Sequence, residues 1–270
     1  MSTVAGSPLA DVQSSMEARG IELDDVGISG LRYPVRVEMA NGSRQCTVCE
    51  ARLSVSLADD VRGTHMSRFV ELIDHAAVIS PSAMIAIVAD LASRLEAADA
   101  SVDVSFPLFI RRAAPVTGRS ALLAIDCRLC ASHGASGASL RISARIPVTS
   151  LCPCSKEISD YSAHSQRGYV TVTALDASWR LGEDGLWPEE LLKVCDDAAS
   201  APIYPVLKRL DERHVTMLAY DRPAFVEDLA RDVAVALRDE QRIDGFEIEV
   251  VNQESIHDHQ AFARVRWGRS

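Results

Sequence analysis

Residues 102–110 read VDVSFPLFI. Val102, Val104, Phe106, Leu108 and Ile110 hold every second position, with Asp103 and Ser105 between them. Successive side chains of a strand point to opposite faces, so this stretch predicts a strand with one face toward a core. The same period recurs at 48–57, through Leu53, Val55 and Leu57, and at 140–148, through Leu140, Ile142, Ala144, Ile146 and Val148. Apolar runs at 120–129, 169–175, 246–250 and 261–267 read as further strands. Elsewhere the period changes. Over 81–97, Met84, Ile87, Val88, Leu91 and Leu95 recur at offsets of three and four, the pattern of an amphipathic helix, with Ser80 and Pro81 at its start. Helical patterns also cover 188–199, continuing toward Leu210, and 223–239, where Phe225, Val226, Leu229, Val233 and Leu237 share a face.

Strand pairs, helices and strand pairs follow one another twice, which predicts an α+β fold of antiparallel sheets with helices on one face. Residues 1–28 are polar and weakly periodic and read as an N-terminal arm. Residues 29–135 form a first module and 136–270 a second, which carries most of the candidate site residues.

The chain has 270 residues, 47% hydrophobic and 24% charged, a globular composition with enough length for a substantial core. Its formal charge of −10 disfavours nucleic-acid binding and leaves an anionic substrate dependent on a local basic pocket. No apolar run reaches the roughly eighteen residues of a membrane span, and the opening residues lack a basic-then-apolar signal. The expected location is the cytoplasm, with no membrane partner. Seven cysteines, an odd number, point to free thiols. Cys46 and Cys49, like Cys127 and Cys130, form a C-x-x-C pair. Residues three apart on a strand face opposite sides, so these four are expected to be small buried hydrophobes, not a zinc site.

Residues 149–168 read TSLCPCSKEISDYSAHSQRG. Pro147 and Pro153 stiffen the exit from the preceding strand, and residues 155–159 suit a helical turn. A thiol just before a helix is favoured as thiolate, and thiolate and imidazole both bind zinc-like metals. A catalytic metal needs about three protein ligands and an open position for water; Cys152 and His164 would supply two. Spacing alone is equally compatible with two unreactive thiols and a surface histidine.

The same stretch resembles the signature of the type IB GTP cyclohydrolase I family. DVQSSMEARGIELDDVGISGLRYPV (11–35), GTHMSRFVELI (63–73), VDVSFPLFIRRAAPVTG (102–118), LKRLDERHVT (207–216), FVEDLARDVA (225–234) and ESIHDHQAFA (254–263) resemble its other motifs. The resemblance implies a duplicated tunnelling fold, whose sheets pair between subunits of a homotetramer to form barrels, with active sites where subunits meet. It also implies hydrolysis of GTP to 7,8-dihydroneopterin triphosphate and formate, the first step of tetrahydrofolate biosynthesis, with a divalent metal: zinc, manganese or iron.

Carried over residue by residue, Cys152 and His164 match the metal-binding pair, and Cys152, His257 and His259 the catalytic groups. Glu254 matches the residue expected to bind guanine. Lys156, Glu157, Arg167 and Arg68 fall in or near matched motifs as candidate substrate-binding residues. These cations, like Lys208 and Arg209, read equally well as surface charges. At two places where the family resemblance implies metal-binding glutamates, this chain has Pro202 and Met217. Met217 either sets a soft thioether at the metal or merely packs, and residue 217 facing the core would make a restored carboxylate destabilising. Glu212, His214, Cys154 or water are candidates to complete the metal set. Two other readings stand beside this one: a related purine or pterin enzyme with Cys152 or Cys154 as nucleophile, and a non-catalytic paralogue.

Overall fold

The structure is a computed structural model and describes residues 13, 15–76, 78–176 and 185–269. Val102, Val104, Phe106 and Leu108 are each at most 4% exposed, while Asp103 lies on the other face and pairs with Arg128. The period of two has become a two-sided sheet.

In chain order the elements are β1 (Leu23–Glu38), β2 (Arg44–Leu57), α1 (Met66–His75), α2 (Pro81–Leu95), β3 (Ala100–Ala113) and β4 (Ser120–Gly134). Then come β5 (Gly137–Leu151), α3 (Pro153–Ile158), β6 (Ser165–Asp176), α4 (Pro188–Ala198), β7 (Ala201–Pro202), α5 (Arg209–Asp221), α6 (Val226–Arg238), β8 (Ile243–Gln253) and β9 (Ala261–Gly268). The strands form one nine-stranded antiparallel sheet in the order β1-β2-β3-β4-β5-β6-β8-β9, with β7 pairing beside β5. Strand, strand, helix, helix, strand, strand runs on each side of the β4–β5 turn, with α3, β7 and an additional helix in the second half. Helices α2, α4 and α6 pack on the apolar face, and one core runs through both halves. No helix among the described residues is long and apolar enough to cross a membrane.

Helix α2 shows why these boundaries fall where they do. Ser80 Oγ accepts the N–H of Ala83 at 3.1 Å, Pro81 opens the first turn, and Glu96 in the left-handed region (φ 51°) ends it. Met84, Ile87, Val88 and Leu91 form the buried stripe. The opposite face of the sheet is polar, with Arg145 facing Asp126, Arg266 facing Glu247 and Arg264 facing Glu249 across the ladder. Each exposed pair of this kind contributes at most about 1 kcal/mol. Their structural consequence is to keep this face from burying against the core.

Two expectations need correction. The helix at 188–199 does not continue toward Leu210: α4 stops at Ala198, and Ala201–Pro202 runs extended against Thr149 and Val148 of β5. Ser200 and Pro202 favour that break, since proline cannot supply the helical N–H, and Ser200 Oγ instead accepts from Leu151 N at 3.0 Å. The arm at 1–28 overlaps β1, which already begins at Leu23; residues 1–12 and 14 of it lie outside the described residues. β1 is an edge strand whose register shifts between Ile28 and Leu31, where Gly30 has φ 70°. That bulge breaks the alternation.

One buried carboxylate ties the halves together. Asp211, wholly buried in the first turn of α5, accepts from Lys208 N, Val116 N, Thr117 N and Thr117 Oγ1 at 2.6–2.9 Å. Burial alone would raise its pKa, but the hydrogen bonds from Thr117, Lys208 and Val116 outweigh it and hold the carboxyl well below the ordinary range. A depressed folded pKa means that its stabilisation is complete above the unfolded value and is lost as pH falls through the folded one. Asp211→Asn should therefore lower Tm by several degrees near neutrality. The gap from wild type should narrow between about pH 5 and about pH 2; a gap independent of pH in thermal melts would refute this account.

Candidate active site

The last rung of the β5–β6 ladder joins Leu151 to Ser165. Just beyond it, Cys152 N donates to His164 O at 3.1 Å. The chain between them is the signature loop. Cys152 caps α3, its Sγ accepting the N–H of Ser155 at 3.4 Å. Ser155 also donates its hydroxyl to Cys152 O at 3.1 Å and accepts from His164 N at 3.2 Å. The expected helical turn after the cysteines is thus present, and one serine holds both candidate ligands in place.

His164 presents Nδ1 to Gln166 Oε1 at 2.8 Å and lies 3.2 Å from Ser255 Oγ. Glu254 follows the end of β8, and the bend after it brings the rings of His257 and His259 into a stack, centroids 5.0 Å apart and 15° from parallel. Cys152, His164, Glu254, His257 and His259 line one cavity of about 400 Å³, which also takes in Cys154 and the start of α6 at Val226. Five side chains singled out from two separate stretches of sequence, 149–168 and 254–263, therefore share a site.

The other candidates lie elsewhere. Lys156 donates to Tyr220 O at 2.6 Å and sits 4.2 Å over the Tyr220 ring. Glu157 is exposed on α3, and Arg167 is exposed on β6 opposite Thr149 and Gln253. Arg68, on α1, donates to Arg94 O at 3.0 Å. None of these four lines the cavity. Pro202 lies in β7, and Met217 is 48% exposed on α5, so residue 217 does not face the core. Among the described residues no three His, Cys, Asp or Glu side chains converge as a metal cluster. The donor chemistry of Cys152 and His164 nonetheless fits a metal: a thiol beside an imidazole whose Nδ1 is already engaged. A second cavity, of about 480 Å³ near the β4–β5 turn, is lined by Asp24, Asp25 and Asp99. Its acidic wall suits an anionic substrate poorly.

The C-x-x-C pairs face opposite sides of their strands, as expected. Cys49 and Cys127 are buried, and burial pushes both thiols up. Cys46, however, is exposed and Cys130 only partly buried, because residues three apart cannot share the core face. Sequence reasoning missed Ser150, Gln166, Gly168 and Asn252, which brace the site from beneath. Gly168 lies beside Asn252 in the β6–β8 ladder, and a Cβ there would approach Asn252 Oδ1 to 2.7 Å. Alternation alone could have suggested that Gln166 shares the inward face of Val170.

Cys152→Ala should abolish turnover and lower bound metal, while Cys46→Ala, on an exposed strand position remote from the cavity, should leave both unchanged. Metal analysis and turnover of the two variants check this; metal lost from the Cys46 variant and kept by the Cys152 variant would reverse the assignment.

A sequence model of the family described as type I GTP cyclohydrolase folE2 matches residues 9–263. GTP cyclohydrolase FolE2 of Aromatoleum aromaticum is 41% identical over 267 residues, covering 98% of this chain and 96% of the relative. The protein of the same name from Kosmotoga olearia is 41% identical over 263 residues, covering 97% and 100%. Among solved structures, a urate oxidase variant from Bacillus sp. TB-90 superposes with a TM-score of 0.55 at 9% identity, covering 91% of this chain and 98% of that one. Uricase from Arthrobacter globiformis does so with a TM-score of 0.51 at 6% identity, covering 91% and 93%. At such identities the structural likeness speaks to the fold, which is the tunnelling fold of one antiparallel sheet with helices on one face. By sequence over nearly its whole length, the chain belongs to the type I GTP cyclohydrolase folE2 family.

Proposed function

We propose that the protein hydrolyses GTP to 7,8-dihydroneopterin triphosphate and formate in the cytoplasm, the first step of folate biosynthesis. The observation that carries this reading is the convergence of Cys152, His164, Glu254, His257 and His259 on one cavity in a chain of this family.

The work of each residue follows from its chemistry. Glu254, partly buried at the cavity wall, accepts hydrogen bonds from guanine N1–H and the exocyclic amine, which fixes the purine by its edge. The imidazole ring of the base is then held while water adds at C8, the ring opens and formate leaves. Proton transfers accompany each step. His257 and His259, stacked at the cavity mouth, place a proton acceptor and a proton donor side by side. Cys152 and His164 would hold a divalent metal, which when bound supplies a water acidified toward neutrality. A thiolate and an imidazole, with Pro202 and Met217 where carboxylates are expected, suit zinc or iron better than manganese.

The triphosphate needs cations, and among the described residues no lysine or arginine lines this cavity. We place them across a subunit boundary, in a homotetramer whose barrels form by pairing of sheet edges. β1 and β9 are the edge strands of the sheet, and Phe262 on β9 is 69% exposed. Unpaired edges are normally covered, and Arg68 and Arg167 are the arginines offered to a neighbour's site. The two repeated modules of each subunit divide at 135/136, the first beginning with β1 at Leu23 and not at residue 29.

Anaerobic incubation with GTP and zinc, manganese or iron(II) should release formate and a fluorescent pterin in equal amounts; no product with any of these metals would overturn the activity. Light scattering should give a tetrameric mass, and full activity in a monomer would refute the shared site. Met217→Glu should strengthen manganese retention with little change in Tm, because residue 217 is exposed. Unchanged manganese affinity would mean that residue 217 lies outside the metal's reach.

A further inference from the structure

Beneath the cavity lies a chain of polar side chains that the reaction does not use. We propose that Gln166 and Ser150 are positioning residues that hold His164 as its Nδ1–H tautomer, leaving Nε2 as the nitrogen with a free lone pair. The proposal rests on the reading of His164 as a site residue.

The direction of each bond in this chain is fixed from its buried end. Ser150 is wholly buried and has one hydroxyl proton. Its Oγ lies 3.1 Å from the carbonyl of Ala224, which can only accept, so the proton goes there. The oxygen must then accept from its other neighbours. Asn252 Nδ2 donates to it at 3.0 Å, and Gln166 Nε2 at 3.5 Å. Both amides therefore turn their NH₂ groups toward Ser150 and their oxygens away.

For Gln166, away is toward His164: its Oε1 lies 2.8 Å from Nδ1. An amide oxygen has no proton to give, so the proton between them belongs to Nδ1. Ser255 Oγ, at 3.2 Å from the same nitrogen, takes the place of a second acceptor. Asn252 keeps the assignment one-sided. Turned over, it would set its oxygen against an oxygen of Ser150 that has no proton left to share. Its buried Oδ1 has no hydrogen-bond partner and lies over Gly168.

The partner of one imidazole nitrogen decides which nitrogen is left for a ligand, and removing such a partner typically weakens metal binding about 10–100-fold. Without the Gln166 acceptor, both tautomers should be populated.

The test uses the full chain labelled with ¹⁵N-histidine, with His164→Gln to assign the ring signals. At a pH where His164 is neutral, wild type should show a protonated Nδ1 and an unprotonated Nε2. Gln166→Leu should give a mixture, and so should Ser150→Ala, because the Gln166 amide is then free to turn. Gln166→Glu, whose carboxylate accepts the same proton, should restore the wild-type pattern, and Ser255→Ala should keep it. Thermal melts accompany each variant, and the serine variant stands in if the leucine variant fails to fold. A wild-type ring protonated at Nε2, a ring unmoved by Gln166→Leu, or one moved by Ser255→Ala alone would overturn the proposal.

Cobalt(II) alone serves as the metal probe, read by thiolate-to-cobalt absorption. Gln166→Leu should bind it about 10–100-fold more weakly than wild type, and equal affinity would count against a positioning role. If wild type binds no cobalt yet shows the expected tautomer, the metal reading fails while the tautomer assignment stands.

Discussion

The hydrogen bond from Cys152 N–H to the His164 carbonyl sets the geometry of the whole site. It extends the β5–β6 ladder by one step beyond Leu151 and Ser165, so the separation of the two residues is inherited from the register of two core strands. That register is itself over-determined. Ile146 and Val148 on β5, and Val170 and Val172 on β6, are fully buried. A slip of one residue would turn these side chains to the polar face, at a cost of about 1.5–3 kcal/mol for each large one. The chemistry of the loop is thus held by hydrophobic burial some distance from it.

Three strands meet at this point, and their spacing leaves little freedom. Gly168 on β6 sits between Val148 on β5 and Asn252 on β8, where a Cβ would press on both side chains. The absence of a side chain at one position is what lets a buried amide lie flat beneath the cavity. Elsewhere the cations of the fold are largely committed. Arg112 is held by Asp196 and the carbonyl of Ile203, and Arg242 by Glu190 and Glu240. A chain with net charge −10 thus keeps much of its positive charge in structural bonds.

The parts of this arrangement visible in the sequence are those where one force acts alone. Residues 140–148 alternate because one face is buried and the other wet, and β5 contains them. Strand β1 escaped because it is an edge, half wet on both faces, with a glycine bulge in its middle. The end of helix α4 is hidden in the sequence because Ala198 and Ala199 suit a helix and the bond from Leu151 N to Ser200 Oγ is tertiary; the backbone leaves the helix there to pair with β5. In the site, Cys152, His164 and the two later histidines were legible by residue type. Ser150, Gln166 and Asn252 were not, because a polar residue in a strand ordinarily reads as solvent-facing. Asn252 is 2% exposed, and its burial is tolerated because Ser150 accepts from it.

The carboxylate of Asp211 bears on the order in which the molecule is assembled. It joins the tip of the β3–β4 hairpin to the first turn of α5 across 95 residues of chain. Contacts of such long range close large loops and form after local ones. Synthesis from the N-terminus makes the hairpin before Asp211 exists, so until then water is the partner of the Val116 and Thr117 N–H groups. Helix α5 then docks on a receptor already synthesised, and Leu218 and Ala219 come to rest beside Leu151, at the root of the signature loop. The first half of the chain, whose described residues contribute no wall to the cavity, in this way acts as the template on which the second half completes it.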